Sequence, residues 1–141
     1  MRDANLQSQR HPTAPGPFVL IVEDERGLRG SLATYLRRKG VTPLEAGSLQ
    51  DASLVLNDQA IDVLVLDVGL PDGSGLSLLE TVPAERCLVI SADPNAARFA
   101  SAGVRHWLAK PLDLCVFWST VHRLAEAASL AEEAQGCRAS A

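Results

Sequence analysis

Five polar side chains stand directly after, or at the end of, apolar runs or, for Lys110, a mixed strand-like run in this chain. Glu23 and Asp24 follow Phe-Val-Leu-Ile-Val at 18–22, and Asp67 closes Ile-Asp-Val-Leu-Val-Leu-Asp at 61–67. Ser91 follows the run 87–90, and Lys110 follows 104–109. If these runs are strands pointing the same way, three carboxylates, a hydroxyl and an ammonium meet at one rim. Clustered carboxylates repel and resist joint ionisation unless a cation joins them. All-oxygen donors suit a hard cation such as Mg²⁺, which takes one or a few carboxylates and keeps several waters. A divalent cation, a lysine and a hydroxyl together can neutralise the equatorial oxygens of a transferring phosphoryl group. A carboxylate can be the nucleophile. Asp67 is the best placed, since it ends a buried run and is followed by the turn cluster Gly69-Leu-Pro-Asp-Gly-Ser-Gly75.

Each residue alone has a plainer reading. Glu23-Asp24-Glu25 could be a solvated loop or a set of helix-entry charges, Asp67 a helix cap, Ser91 a turn residue. Lys110 could be a surface lysine, although the chain has only Lys39 and Lys110 against eleven arginines. A lysine where a compact point charge is useful is mildly informative. The five gain meaning as a set.

The elements that must position them can be read from periodicity. Continuous apolar runs fit strands covered on both faces. Between them, 26–39 reads as a helix with Leu28, Leu32, Tyr35 and Leu36 on one face and Gly40 as its stop. A short strand is expected at 41–46. Ser48 is placed to cap a helix through about Asp58, with Asp51 completing a weak capping box. Residues 75–82 read as a short helix ended by Pro83, and 95–102 as another. The last helix starts at Asp113 with an apolar stripe of Leu114, Phe117, Trp118, Val121, Leu124, Ala125 and Ala128, and runs to about 135. Five strands alternating with five helices imply an α/β fold, a doubly wound five-stranded parallel sheet with helices on both faces. Ligands in such sheets sit beyond the carboxyl ends of the strands.

The set Glu23-Asp24, Asp67, Ser91-Ala92 and Lys110-Pro111, with its surrounding strings, resembles the receiver domains of bacterial two-component response regulators. The resemblance covers roughly residues 18–128. It implies the flavodoxin-like strand order 2-1-3-4-5 and a phosphoryl group accepted on Asp67 from a sensor histidine kinase or a histidine phosphotransfer protein. It further implies Mg²⁺ bound by Asp24 and Asp67, by Glu23 through water, and by the backbone carbonyl of Gly69. Lys110 would pair with the phosphoryl group, Ser91 would swing in to hydrogen-bond it, and Trp107 would move inward with Ser91. The Lys110–Pro111 bond would be cis. Such a domain catalyses only its own phosphorylation and dephosphorylation.

Ser91 stands where the family usually has threonine, and Trp107 where it has tyrosine or phenylalanine. The stretches on either side of Ser91 are shorter than is common. A second reading is therefore a receiver-like interaction module that works independently of phosphorylation. A metal-dependent phosphatase with an aspartyl-phosphate intermediate would need a second acid two residues after the nucleophile, where this chain has Gly69. A flavin site would need a Ser/Thr-rich phosphate loop after the first strand.

Composition narrows the partners. The chain has 141 residues, net charge -4 and 47% apolar residues, which suits one soluble domain. The largest basic cluster is Arg37-Arg38-Lys39, a fitting helix end, so direct nucleic-acid binding is not expected. Cys87 and Cys115 read as core residues and Cys137 as a tail residue, without metal-ligand spacing. No run is long enough to span a membrane, and a cytoplasmic location is expected. Residues 1–17 read as a disordered leader and 129–141 as a helical extension and tail. That extension could serve a homodimer or lead to an output domain, and the downstream partner is expected to be a protein.

Overall fold

Alternation along the strands decides the architecture. The computed structural model describes residues 16–93 and 96–140. Its five strands are β1 (Phe18–Val22), β2 (Thr42–Ala46), β3 (Val63–Asp67), β4 (Cys87–Ser91) and β5 (Trp107–Ala109). Successive side chains of a strand point to opposite faces. Val19 and Ile21 of β1, Val63 and Val65 of β3, and Leu88 and Ile90 of β4 enter one core. Leu20, Val22, Leu64, Leu66, Cys87 and Val89 enter another on the far side. A sheet buried on both faces needs helices on both, as the continuous apolar runs imply.

Helix α1 (Arg26–Arg38) and helix α4 (Leu114–Ser140) cover the first face, through Leu32, Leu36, Phe117, Val121 and Leu124. Helix α2 (Leu49–Asp58), a 3₁₀ helix over Gly75–Glu80 and helix α3 (Ala96–Ser101) cover the second, through Ala52, Leu78 and Phe99. The strand order is β2-β1-β3-β4-β5, with every neighbouring pair parallel. This is the flavodoxin-like order. No helix among the described residues is long and apolar enough to cross a membrane.

Local chemistry sets the element ends. Gly40, at φ 88°, leaves α1 in the left-handed conformation that glycine reaches without steric cost, and its N–H donates to the Arg37 carbonyl. Ser48 Oγ accepts from the Asp51 N–H at 3.1 Å, which forms the Ser48 half of the capping box. The Asp72 carboxylate adds a second anchor at the same end, accepting from Leu49 N at 2.9 Å and Gln50 N at 3.1 Å. Asp113 Oδ1 caps α4 by accepting from Cys115 N and Val116 N.

Several boundaries differ from the sequence reading. The short helix expected over 75–82 is a 3₁₀ helix over Gly75–Glu80 only, squeezed between Gly75 and Pro83. β5 has three ladder residues instead of six, although Val104 is buried beneath it. The turn cluster after Asp67 holds a small antiparallel ladder of Gly69–Leu70 with Gly73–Ser74. Cys115 is exposed, not core, and Leu114 is 44% exposed, because the buried stripe of α4 begins at Phe117. Of the leader, residues 1–15 lie outside the described residues, while the Pro17 carbonyl already accepts from Thr42 N. The side chain of Cys137 lies outside the described residues too.

Candidate functional site

The carboxyl ends of β1, β3, β4 and the short β5 converge. The register pairs Val22 with Leu66, Asp67 with Ile90 and Ser91 with Ala109. The residues just past these ends therefore meet at one edge. Lys110 reaches back across it: its Nζ donates to Glu23 Oε1 at 2.5 Å and to Asp67 Oδ2 at 3.1 Å. Oxygens of Glu23, Asp24 and Asp67 lie within 4.8 Å of one another. Glu23 is fully buried, Asp67 is 9% exposed, and Asp24 faces solvent.

The backbone supports this cluster. Arg29 Nη1 donates to the Glu23 carbonyl at 2.8 Å and Arg29 Nε pairs with Glu45, so α1 holds the end of β1. Glu23 Oε2 accepts from Glu25 N. Gly69 N donates to Asp67 Oδ1 at 3.3 Å. Gly75 closes the loop tightly, donating its N–H to Val68 O. The Lys110 N–H donates to the Ser91 carbonyl at 2.9 Å, and the Lys110–Pro111 peptide is cis.

Electrostatics follows from burial. Loss of water pushes the Glu23 carboxyl above its ordinary value, against the lowering hydrogen bonds from Lys110 and Glu25 N. Burial pulls Lys110 down, but hydrogen bonds and charge from Glu23 and Asp67 outweigh it and raise the ammonium above its ordinary value. Lys110 is therefore a firmly held cation, and one ammonium faces three carboxyl groups. An all-oxygen cluster with this imbalance fits a hard divalent cation, and the receiver family typically holds Mg²⁺ in such an acidic pocket.

Asp67 and Lys110 open onto a cavity of about 440 Å³ that Gly69, Ser91, Asp93 and Arg98 also line. Ser91 is 6% exposed, and its Oγ accepts from Asp93 N at 3.0 Å. Trp107 is not in this cavity. The residue is 39% exposed, and its ring lies 6.3 Å from that of Phe99 and borders a separate cleft with His106, Thr120 and Arg123. Sequence reasoning passed over Arg98 and Arg29. Neither spacing nor an adjacent motif marks them, since their roles depend on how α3 and α1 pack.

This fold and this acidic edge define a class, the receiver modules of two-component signalling systems. A family model for the response regulator receiver domain matches residues 19–122, and the chain belongs to that family. It is 34% identical over 102 residues to the KDP operon transcriptional regulatory protein KdpE of Escherichia coli K12, covering 68% of this chain and 45% of that protein. It is 36% identical over 104 residues to the Regulator of RpoS of the same organism, covering 69% of this chain and 31% of that one. The chain thus spans less than half the length of these curated relatives. Among solved structures, a response regulator receiver protein from Pseudomonas putida matches with TM-score 0.69 and 32% identity, over 78% of this chain and 98% of that one.

Proposed function

We propose that residues 18–128 act as a phosphorylation-operated receiver in which Asp67 accepts a phosphoryl group from a phosphohistidine. The donor is a sensor histidine kinase or a histidine phosphotransfer protein. The observation that carries this is the Lys110 ammonium bridging Glu23 and Asp67 at the mouth of the cavity holding Ser91. In the transfer, an Asp67 carboxylate oxygen forms a P–O bond, the P–N bond to the donor imidazole breaks, and the imidazole nitrogen takes a proton from solvent. Lys110 offsets charge on the phosphoryl oxygens. Asp24 and Asp67, the Gly69 carbonyl and, through water, Glu23 would hold Mg²⁺, which supplies further neutralisation of that charge.

Phosphorylation biases shape only through contacts that differ between two states. The Ser91 hydroxyl is one such contact, because it can keep accepting from Asp93 N while donating its proton to a phosphoryl oxygen. Trp107, half-exposed in this state, follows by turning inward. The readout is a downstream protein partner or an output domain, with residues 129–141 as a helical extension and tail between them or as a dimer contact. The module acts on itself and not on external substrates, since Gly69 stands where a general acid for turnover would be needed.

The test is intact-mass spectrometry after incubation with Mg²⁺ and acetyl phosphate. One added phosphoryl group, absent from Asp67→Asn, is the expected result. No gain in the wild type would overturn the proposal and favour an interaction module that works without phosphate.

A further inference from the structure

Arg98 is a second cation, beside Lys110, on the wall of the Asp67 cavity. Its Nη1 pairs with Asp93 Oδ2 at 2.8 Å, with Arg98 about half exposed. The Asp93 N–H in turn donates to Ser91 Oγ at 3.0 Å. A chain of contacts therefore runs from α3 to the residue that ends β4, along the same cavity as Asp67 and Lys110.

Charge assigns the task. A phosphoryl group on Asp67 carries about -1.5 to -2 of charge on three strong acceptor oxygens, and because the carboxylate gives up its own charge the cavity gains about one negative charge net. Lys110 is already shared between Glu23 and Asp67. Resting on the phosphoacceptor reading of Asp67, we propose that Arg98 is a phosphoryl-binding residue, which leaves the Asp93 carboxylate for the phosphoryl oxygens when Asp67 is modified.

The exchange is favoured on both sides. An ion pair as exposed as Arg98–Asp93 is weak. A guanidinium meeting a phosphoryl group makes charge-assisted, often bidentate hydrogen bonds. The Asp93 carboxylate, on the same wall, is repelled by the new charge, and at 34% side-chain exposure it can turn to water. Movement of Arg98 carries its neighbour Phe99, whose ring packs against Trp107. The cavity is thus coupled to the exposed tryptophan through α3 as well as through β4 and β5.

The test is calorimetric titration of the full chain with beryllofluoride, which mimics the phosphoryl group, at saturating Mg²⁺. Arg98→Ala should weaken beryllofluoride binding about tenfold, as expected for losing a charge-assisted hydrogen-bonding partner. Arg98→Lys should recover part of it, and Mg²⁺ affinity measured without beryllofluoride should stay at the wild-type value. Should Arg98→Ala lose its circular dichroism signal, Arg98→Gln carries the same comparison. Unchanged beryllofluoride affinity in the variant, or an equal loss of Mg²⁺ affinity, overturns the assignment. A wild type that takes no phosphoryl group from acetyl phosphate overturns the Asp67 reading and this inference with it. A phosphorylated wild type with an indifferent Arg98 overturns this inference alone.

Discussion

A Cβ on Gly75 would lie 2.2 Å from the backbone carbonyl oxygen of Asp67 and 2.6 Å from Leu66 Cδ1. The chain after β3 turns back so closely on the acceptor that only glycine fits. Gly75→Ala must displace the Asp67 backbone. Overpacking of this kind costs about 1–3 kcal/mol, read from urea unfolding midpoints, and phosphorylation by acetyl phosphate should slow. Wild-type stability with a wild-type rate would mean the loop is more yielding than this contact implies.

Lys110 and Ser91 should separate two steps. Lys110→Ala leaves the fully buried Glu23 without its cation, so both stability and phosphorylation rate should fall. The stability loss should be about 1–3 kcal/mol, below the range for a wholly buried pair because Lys110 keeps 21% exposure. Adding Glu23→Gln should restore part of that stability, since a neutral amide needs no counter-ion. Ser91→Ala should still be phosphorylated, but partner binding should depend less on phosphate. Equal phosphate dependence in Ser91→Ala and wild type would contradict the role of the hydroxyl.

Asp72 gives an acid-side signature. The hydrogen bond from Leu49 N, opposed by loss of water and reinforced by the bond from Gln50 N, holds its carboxyl below the ordinary value of 3.8. A lowered folded-state value means the contribution is present above 3.8 and fades as pH falls through the lower, folded-state value. The urea midpoint difference between wild type and Asp72→Ala should therefore shrink as pH drops below 3.8. A difference independent of pH would show that the carboxylate charge is not what anchors α2.

Cys87 should be inert in the native state. Burial, aided by the nearby Glu85 charge, pushes its thiol up to about 12, and Sγ lies 3.3 Å from the Pro83 carbonyl. The thiolate is the nucleophile, so iodoacetamide at neutral pH should label the exposed Cys115 and spare Cys87 until urea is added. Peptide mapping distinguishes the two, and native labelling of Cys87 would count against a closed core at β4.

The central strands were legible because runs such as Val-Leu-Val-Leu are apolar at every position, which a sheet covered on both faces requires, while their order followed from the family resemblance. Glu23, Asp24, Asp67 and Ser91 were legible because each stands at or just past the end of such a run, Lys110 because it follows the mixed strand segment 104–109, and the parallel register carries the ends to one edge. Cys115 and Leu114 were misread because a helical stripe does not say where a helix first touches the sheet, and contact begins at Phe117. The 75–82 segment carries a helical apolar pattern, yet the close approach at Gly75 and the stop at Pro83 leave room only for 3₁₀ turns. Arg98 was invisible because its place in the cavity depends on how α3 packs through Phe99 onto the core on the second face.

The most direct measurement is borohydride trapping followed by tandem mass spectrometry of the peptide spanning residues 61–75. Borohydride reduces an aspartyl phosphate to homoserine. After treatment with acetyl phosphate and Mg²⁺, residue 67 should read as homoserine, while Asp62 and Asp72 remain aspartate. Homoserine at another position, or unmodified aspartate at 67 in protein that has gained a phosphoryl group, would contradict Asp67 as the acceptor.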